Sequence, residues 1–419
     1  MRRPMLPGPL SFASLVLSVV LPLAAAALPV AAQYVPDRWS WETRDPAQVG
    51  MDAVALQEAI AIHRTNESTA PRDQEEGQNQ TFGREPMGFG IGPFRVRGEP
   101  SGIILRHGYI VAEWGDTRAV EMTHSVTKSF LSTVVGLAWQ DGLVRDLDDP
   151  AREYMAPVDL PPGDGEPGVD RTGFGRDDLA TLFNTDHNRR ITWDHLLRQT
   201  SDWEGTLWGK PDWADRPDRD PSTWRTRSRH APGTVYEYND TRVNLLALLA
   251  TGVWRRPLPR VLKERVMDPI GASYTWRWQG YDNSWITLDG ARVQAVSGGG
   301  HWGGGMFISA RDMARFGLFT LRRGRWGDRQ LLDPEWFELA TTPTSAQPGY
   351  GFMNFFLNRP DADGNKRYPS APDGAYAHLG NGTNMVYVDP ENDLVVVARW
   401  IGGGGIDEFL GKIVGAIRE

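Results

Sequence analysis

The 419-residue chain contains no cysteine. Disulfides, thiolate zinc sites and a lipid-modified N-terminal cysteine are therefore excluded. Lysine is almost as scarce, occurring only at 128, 210, 263, 366 and 412, so arginine supplies nearly all of the 45 basic residues. With 53 acidic residues the formal charge is −8, and the basic footprint of a nucleic-acid binder is missing. The eight histidines form no His-Glu-x-x-His or His-x-His pattern, which argues against a zinc hydrolase. No Gly-x-Ser-x-Gly occurs either, so the nucleophile elbow of α/β-hydrolases is absent. The chain shows no internal repeat and no low-complexity domain.

What remains is an ordinary globular composition, 40% hydrophobic and 23% charged, with length enough for two sub-domains and a large core. Residues 1–32 read as a secretory signal peptide. Arg2 and Arg3 give the positive start, Leu10 to Ala27 the apolar stretch, and Val30-Ala31-Ala32 the small residues before a cut ahead of Gln33. Cleavage there takes the formal charge from −8 to −10, because only those two charged residues leave. An uncleaved anchor is the alternative, since the apolar stretch is nearly long enough to span a bilayer. The expected location is the bacterial periplasm or the medium. Contact with a membrane is expected only if the signal stays on.

Periodicity places a helix over 52–64 and a long polar loop over 65–100. Strands are expected at Gly102–Arg106 and Tyr109–Trp114, joined as a hairpin at His107-Gly108. A long helix follows, opened by Ser125, with Val126, Phe130, Val134 and Leu137 on its apolar face. From about 145 to 300 the reading is helical with long loops, including helices over 191–199 and 242–254. Trp203, Trp208, Trp213 and Trp224 fall in a loop over 202–233. They either wall a pocket or pin that loop. Gly298 to Gly305, interrupted by His301-Trp302, reads as a tight backbone crossing. A helix is expected over 310–322, strands over 375–378, 385–388 and 394–400, and a closing helix over 406–417. The pattern is a strand region built from both ends of the chain, with helices inserted in its middle.

Ser125-Val126-Thr127-Lys128 puts a hydroxyl in the first turn of a helix and an ammonium three residues on, on the same face. Unpaired N–H groups and the helix dipole favour developing negative charge there. Two further motifs follow in order: Tyr236-Glu237-Tyr238-Asn239-Asp240 ahead of a helix, and His378-Leu379-Gly380-Asn381-Gly382 at the end of a strand. Together with Ile191-Thr192 to Ser201 and Ser309-Ala310-Arg311-Asp312, this set resembles the penicillin-recognising serine hydrolases: class C β-lactamases, DD-peptidases and related esterases. The resemblance spans roughly residues 45–419. It implies an α/β (α+β) fold of β-lactamase/transpeptidase type, an antiparallel sheet from both chain ends flanked by helices. The α/β part would comprise 33–124 and 301–419, and a mainly helical sub-domain 125–300.

The same resemblance implies the roles. Ser125 would be the nucleophile that forms an acyl-enzyme, with Lys128 and Tyr238 as its base pair. A phenol titrates near 10 and needs adjacent cations to act as a base at neutral pH. The backbone N–H groups of Ser125 and Asn381 would bind the oxyanion, and Gly380 would let substrate lie along the strand edge. Two positions depart from the family pattern. Asp240 stands where Asn is usual, and it either keeps Lys128 protonated or turns away to cap the next helix. His378 stands where β-lactamases carry Lys, which weakens the case for binding a β-lactam carboxylate and favours small esters or amides as substrates. His124 is expected to pack, and His301 to stand near the site rim. No cofactor and no metal is implied. A β-lactamase, a D-Ala-D-Ala peptidase, or a binding protein that acylates without turnover remain the alternatives. Specificity is expected in the loops 65–100, 202–233 and 358–373. Oligomeric state leaves no mark in the sequence.

Overall fold

The computed structural model describes residues 33–155, 182–360 and 363–418. The expected signal segment 1–32 lies outside these residues, as do two positions of the 358–373 loop. Residues 33–419 form one compact unit. Its centre is a six-stranded antiparallel sheet. Strands β1 (Ser101–Arg106) and β2 (Tyr109–Trp114) come from the first third of the chain. The others come from its end: Phe355–Phe356, Tyr376–Gly380, Asn384–Asp389 and Leu394–Arg399. The first and last parts of the chain meet where Ile103 pairs with Val397 and Ile104 with Val396.

Both faces of the sheet are covered, because alternate side chains point to opposite faces and both sets are apolar. Leu394, Val396 and Ala398 meet Leu56 and Ile60 of helix α1 (Ala53–Thr65), together with Phe409, Leu410 and Ile413 of the C-terminal helix Ile406–Gly415. Val395 and Val397 face the other way, into the main core. There the helix Ala310–Leu321 lies so close that a Cβ on Gly317 would come within 2.6 Å of Val386 and 2.7 Å of Val395.

The helix that follows Ser125 runs from Thr127 to Gln140 and is buried from Thr127 to Ala138. Its expected apolar face, Val126, Phe130, Val134 and Leu137, is fully buried. Ser125 itself sits in a tight 3-10 turn, His124–Val126, that leads into this helix. The strands and helices expected on both sides of that region are found within a few residues of their predicted ends.

Two stretches differ from expectation. Residues 145–300 are not helical throughout, since Arg277–Leu288 and Ala291–Val296 form a β-hairpin. That hairpin joins Gly305–Ile308 and Glu121–Met122 in a second sheet. Aromatic and β-branched residues every few positions suit a partly buried strand, as with the buried Trp278, Tyr281 and Ile286 here. The stretch 65–100 is not all loop. Gln74–Gln80 is a helix capped by Asp73, whose carboxylate accepts from the N–H groups of Glu75 and Glu76. Its polar sequence has no apolar period to announce it. Among the described residues no helix is long and apolar enough to cross a membrane.

Candidate active site

Ser125, Tyr238, Asp240, Gly380 and Asn381 line one cleft of about 220 Å³. Three distant segments converge to make it, and the backbone explains how each is held. His124, just before the nucleophile position, takes φ +50°, a left-handed conformation that costs a side-chain-bearing residue about 1–3 kcal/mol. Its ring is locked there by Gln74 Oε1 at 2.9 Å and lies edge-on to Trp400. Burial pushes its pKa down to about 4, so it packs as a neutral ring. The sheet edge presses against the same turn. A Cβ on Gly380 would lie 2.0 Å from the carbonyl oxygen of Thr123 and 3.1 Å from the nitrogen of Ser125. Only glycine permits that approach, which brings the strand end beside the Ser125 N–H.

The Tyr238 segment hangs on Gln199 and Thr200. Gln199 accepts from the Glu237 N–H through its carbonyl and from the Asn239 N–H through its side chain, at 2.9 and 2.8 Å. Thr200 O accepts from the Gly233 N–H at 2.8 Å. The Ile191 to Ser201 stretch is thus a bracket for the tyrosine motif. Helix Asp240–Trp254 begins immediately after it, capped by Asn239, whose side chain accepts from the Arg242 N–H. The cap is Asn239, and that leaves Asp240 free to face inward.

Lys128 and Asp240 are each about 1% exposed and form a direct ion pair. The Lys128 ammonium also donates to Ser125 Oγ at 2.9 Å. Burial opposes the charge on Lys128, but the adjacent Asp240 carboxylate outweighs it and raises the pKa above its usual value. Asp240 is also penalised by burial, yet Lys128, Arg216 and His301 hold it well below the usual carboxylate range. Gly299 runs directly over the pair: a Cβ there would stand 2.2 Å from Lys128 Nζ and 2.3 Å from Asp240 Oδ1. The contact requires glycine at 299.

Tyr238 turns its ring to two cations, with Lys128 Nζ 4.8 Å and Arg216 Cζ 4.9 Å from the centroid. Phe355 stacks on it from the strand side, the two ring centroids 6.2 Å apart. Arg216 Nη2 donates to Asp240 Oδ2 at 3.1 Å, and the same guanidinium pairs with Asp215. His301 completes the cluster. Its Nε2 lies 3.2 Å from Glu85, and its Nδ1 lies 3.2 Å from Asp240 and 3.4 Å from Asp215. The Nδ1 contacts lie off the line of a good hydrogen bond, so they act as charge contacts. Burial disfavours the imidazolium, but the three carboxylates, Asp215 foremost, push its pKa up to about 9. Burial, with the Asp240 charge adding to it, pushes Asp215 the other way, above the usual carboxylate range. Glu85, Asp215 and His301 bring ligand atoms within 4.8 Å of one another. In the arrangement shown they pair with one another and with Arg216 as an ionic cluster.

His378 requires a correction. It does not face the cleft. Its ring is turned behind the Thr127–Gln140 helix, among Phe316, Tyr376 and Thr320. Burial alone pushes its pKa down to about 3, so it offers the cleft no cation. The strand enters the site instead through Leu379, Gly380 and Asn381. The tryptophans of 202–233 pin their loop: Trp203 and Trp208 are buried, and Trp213 stacks on Trp224 at 5.6 Å. The residues the sequence did not single out are Arg216, Asp215, Glu85, Phe82, Phe355 and Arg367. No local pattern marks them, because each comes from a loop, a single 3-10 turn or a two-residue strand.

Comparison with known proteins agrees with this arrangement. The beta-lactamase family profile matches residues 106–401. A protein of Escherichia coli O157:H7 named for D-alanyl-D-alanine carboxypeptidase is 23% identical over 205 residues, 41% of this chain and 46% of that protein. The chain therefore spans about half the length of that curated relative. EstCE1, described as a hydrolase with promiscuous acyltransferase activity, superposes with a TM-score of 0.51 at 17% identity, covering 88% of this chain and 100% of its own. SurE bound to D-Leu superposes with a TM-score of 0.52 at 15% identity, covering 87% and 76%. At these identities the structural likeness is one of fold.

Proposed function

The chain belongs to the beta-lactamase family, and from that premise we propose that it is a serine hydrolase acting on small esters or amides through an acyl-enzyme at Ser125. The fold is of the β-lactamase/transpeptidase type and the family is that of the penicillin-recognising serine hydrolases. The observation that carries the proposal is the 2.9 Å contact from Lys128 to Ser125 Oγ, with the ammonium fixed from behind by Asp240.

Asp240 decides the division of labour between the two candidate bases. A lysine tied to a buried carboxylate keeps its proton, so Lys128 orients Ser125 Oγ and supplies positive charge. Tyr238, ringed by Lys128 and Arg216, then takes the proton. Ser125 Oγ attacks the carbonyl carbon and its proton passes to the Tyr238 oxygen. The bond to the leaving alcohol or amine breaks as Tyr238 returns that proton to it. Water then attacks the acyl-enzyme along the same proton route, releasing the acid and restoring Ser125. The N–H groups of Ser125 and Asn381 stabilise the oxyanion in both steps.

Esters and simple amides are favoured over β-lactams because His378 is turned away and neutral. The strand therefore lacks the cation that would hold a β-lactam carboxylate. A D-Ala-D-Ala peptidase is the second reading, favoured by the named relative. The N-terminal segment supports export to the periplasm or medium, which cell fractionation with N-terminal sequencing of the product tests. Ser125→Ala is expected to abolish hydrolysis of p-nitrophenyl esters, and wild-type rates in that variant would end the proposal. Nitrocefin turnover faster than ester turnover would move the assignment to a β-lactamase.

A further inference from the structure

Four of the five lysines pair with a carboxylate: Lys128 with Asp240, Lys263 with Asp268, Lys366 with Asp373 and Lys412 with Glu58. Among the described residues Lys210 pairs with none. It sits on a two-residue strand, Lys210–Pro211, in the loop that goes on to carry Arg216, and it is only 1% exposed. Its amine donates to the carbonyl oxygens of Met87 and Phe89, the latter at 2.7 Å. The ring centroids of Phe89 and Trp302 stand 3.7 and 5.2 Å from Nζ. Burial, with no anion to offset it, pushes the pKa of this amine down to about 7. A buried amine without a counterion costs stability, and its two acceptors show what it holds in return.

The segment it holds is one wall of the cleft. Gln78 and Phe82 line the cavity that Ser125 lines. Phe82 packs on the His301 ring at 4.5 Å, and Glu85 lies 3.2 Å from His301 Nε2. Little apolar burial fixes the residues that follow. Met87 and Phe89 are 47% and 60% exposed, and Met87 takes a left-handed φ of +53°. The carbonyls turn to polar anchors instead, those of Met87 and Phe89 to Lys210 and that of Gly88 to the Gln78 amide. Further along, the Ile91 and Gly92 N–H groups donate to the Trp302 carbonyl at 2.9 and 3.0 Å.

We propose that Lys210 is a positioning residue for the hydrolysis: by anchoring the Met87 and Phe89 carbonyls beside Trp302, it sets Glu85 against His301 and Phe82 into the cleft wall. This rests on the hydrolase reading above and adds a residue that reaches the reaction only through others. The contacts run from Lys210 through the backbone of 85–89 to Glu85, and from Glu85 to His301. His301 then meets the Asp240 carboxylate that holds Lys128. The Glu85 contact is one of those that raise the pKa of His301. Without its anchor Glu85 leaves the imidazole, and the imidazolium loses one of the three carboxylates that keep its proton.

Histidine titration followed by NMR reads this without turnover. With the eight histidines labelled at Cε1, the signal lost in His301→Gln identifies His301, which should titrate near 9 in the wild type. Lys210→Met should lower that titration by about one pH unit or more, the scale of one neighbouring carboxylate. Lys210→Arg, which keeps donors at the same place, should restore part of it. Glu85→Gln should lower it as well, and adding Lys210→Met to Glu85→Gln should move it no further, because the two residues act in series. In turnover of p-nitrophenyl esters Lys210→Met should reduce kcat/KM about tenfold, as expected of reacting groups set slightly out of place. A His301 titration unchanged in both Lys210 variants, a shift that adds in full to that of Glu85→Gln, or wild-type kcat/KM in Lys210→Met would overturn the proposal. The titration needs no substrate, so its failure is separate from failure of the hydrolase reading, which Ser125→Ala tests.

Discussion

Two histidines, His301 and His378, are both nearly fully buried, one beside the Asp240 carboxylate and the other beside Phe316 and Tyr376. Their surroundings are opposed. His301 is enclosed by Glu85, Asp215 and Asp240, and its pKa rises to about 9. His378 is enclosed by Phe316, Tyr376 and the Thr320 hydroxyl, and its pKa falls to about 3. The same imidazole is a cation at neutral pH in one place and an apolar filler in the other. Burial works against charge in both, and the difference lies in the carboxylates within reach. The cleft side is an electrostatic machine assembled from six charged groups. The rear of the helix is ordinary core.

The contrast can be broken hardest at Asp240. Asp240→Ala strands Lys128, Arg216 and His301 without their shared carboxylate, and stripping one partner from a buried pair costs about 3–5 kcal/mol. Urea unfolding should register that loss, and ester hydrolysis should fall by about 10²–10⁴ as proton transfer is disabled. The milder Asp240→Asn keeps the shape and removes the charge. Lys128, no longer held protonated by an adjacent anion, should release its proton at lower pH. The alkaline limb of the kcat/KM profile should therefore move down in pH, and an unchanged profile would show that Asp240 does not hold the lysine's charge.

His301 predicts a smaller effect with a definite sign. Its folded pKa lies above the unfolded value of 6.5, so the stabilisation is complete below pH 6.5 and is lost as pH rises through about 9. Thermal midpoints of the wild type should decline over that window, and His301→Gln should flatten the decline. His378 has the opposite sign. Its folded pKa is depressed, so the unfolded chain takes up the proton first. Stability should then fall as pH drops below 6.5 and go on falling toward 3. His378→Leu should remove that acid sensitivity and change kcat/KM for neutral esters by no more than about threefold, a volume-conserving swap in packed core. A loss of tenfold or more would put His378 back at the site.

These two residues also mark the limit of what could be read beforehand. The strands at both chain ends were legible as short apolar, β-branched runs bounded by turn residues, and the helices of the core by apolar residues recurring with a period of 3.6. Ser125, Lys128 and Tyr238 were legible because their motifs stand in family order, and they line or adjoin a single cleft. Gly380 was legible as small, and the Thr123 carbonyl pressed against it supplies the physical reason. The direction of His378 was not legible, since a strand position names a face only after the register is known. Arg216, which lines the cleft, and Glu85, which pairs with His301, were not legible because they lie in loops, where no periodicity ties position to neighbour. The hairpin over 277–296 was missed because it interrupts a region otherwise rich in helix.

Everything in the mechanism turns on the covalent acylation of one hydroxyl, that of Ser125. Intact-mass and peptide-level mass spectrometry of the protein quenched in acid during ester turnover reads this directly. The predicted result is a single added acyl group on the peptide containing Ser125, absent in Ser125→Ala. Turnover with no adduct on that peptide, or an adduct on another residue, would contradict it.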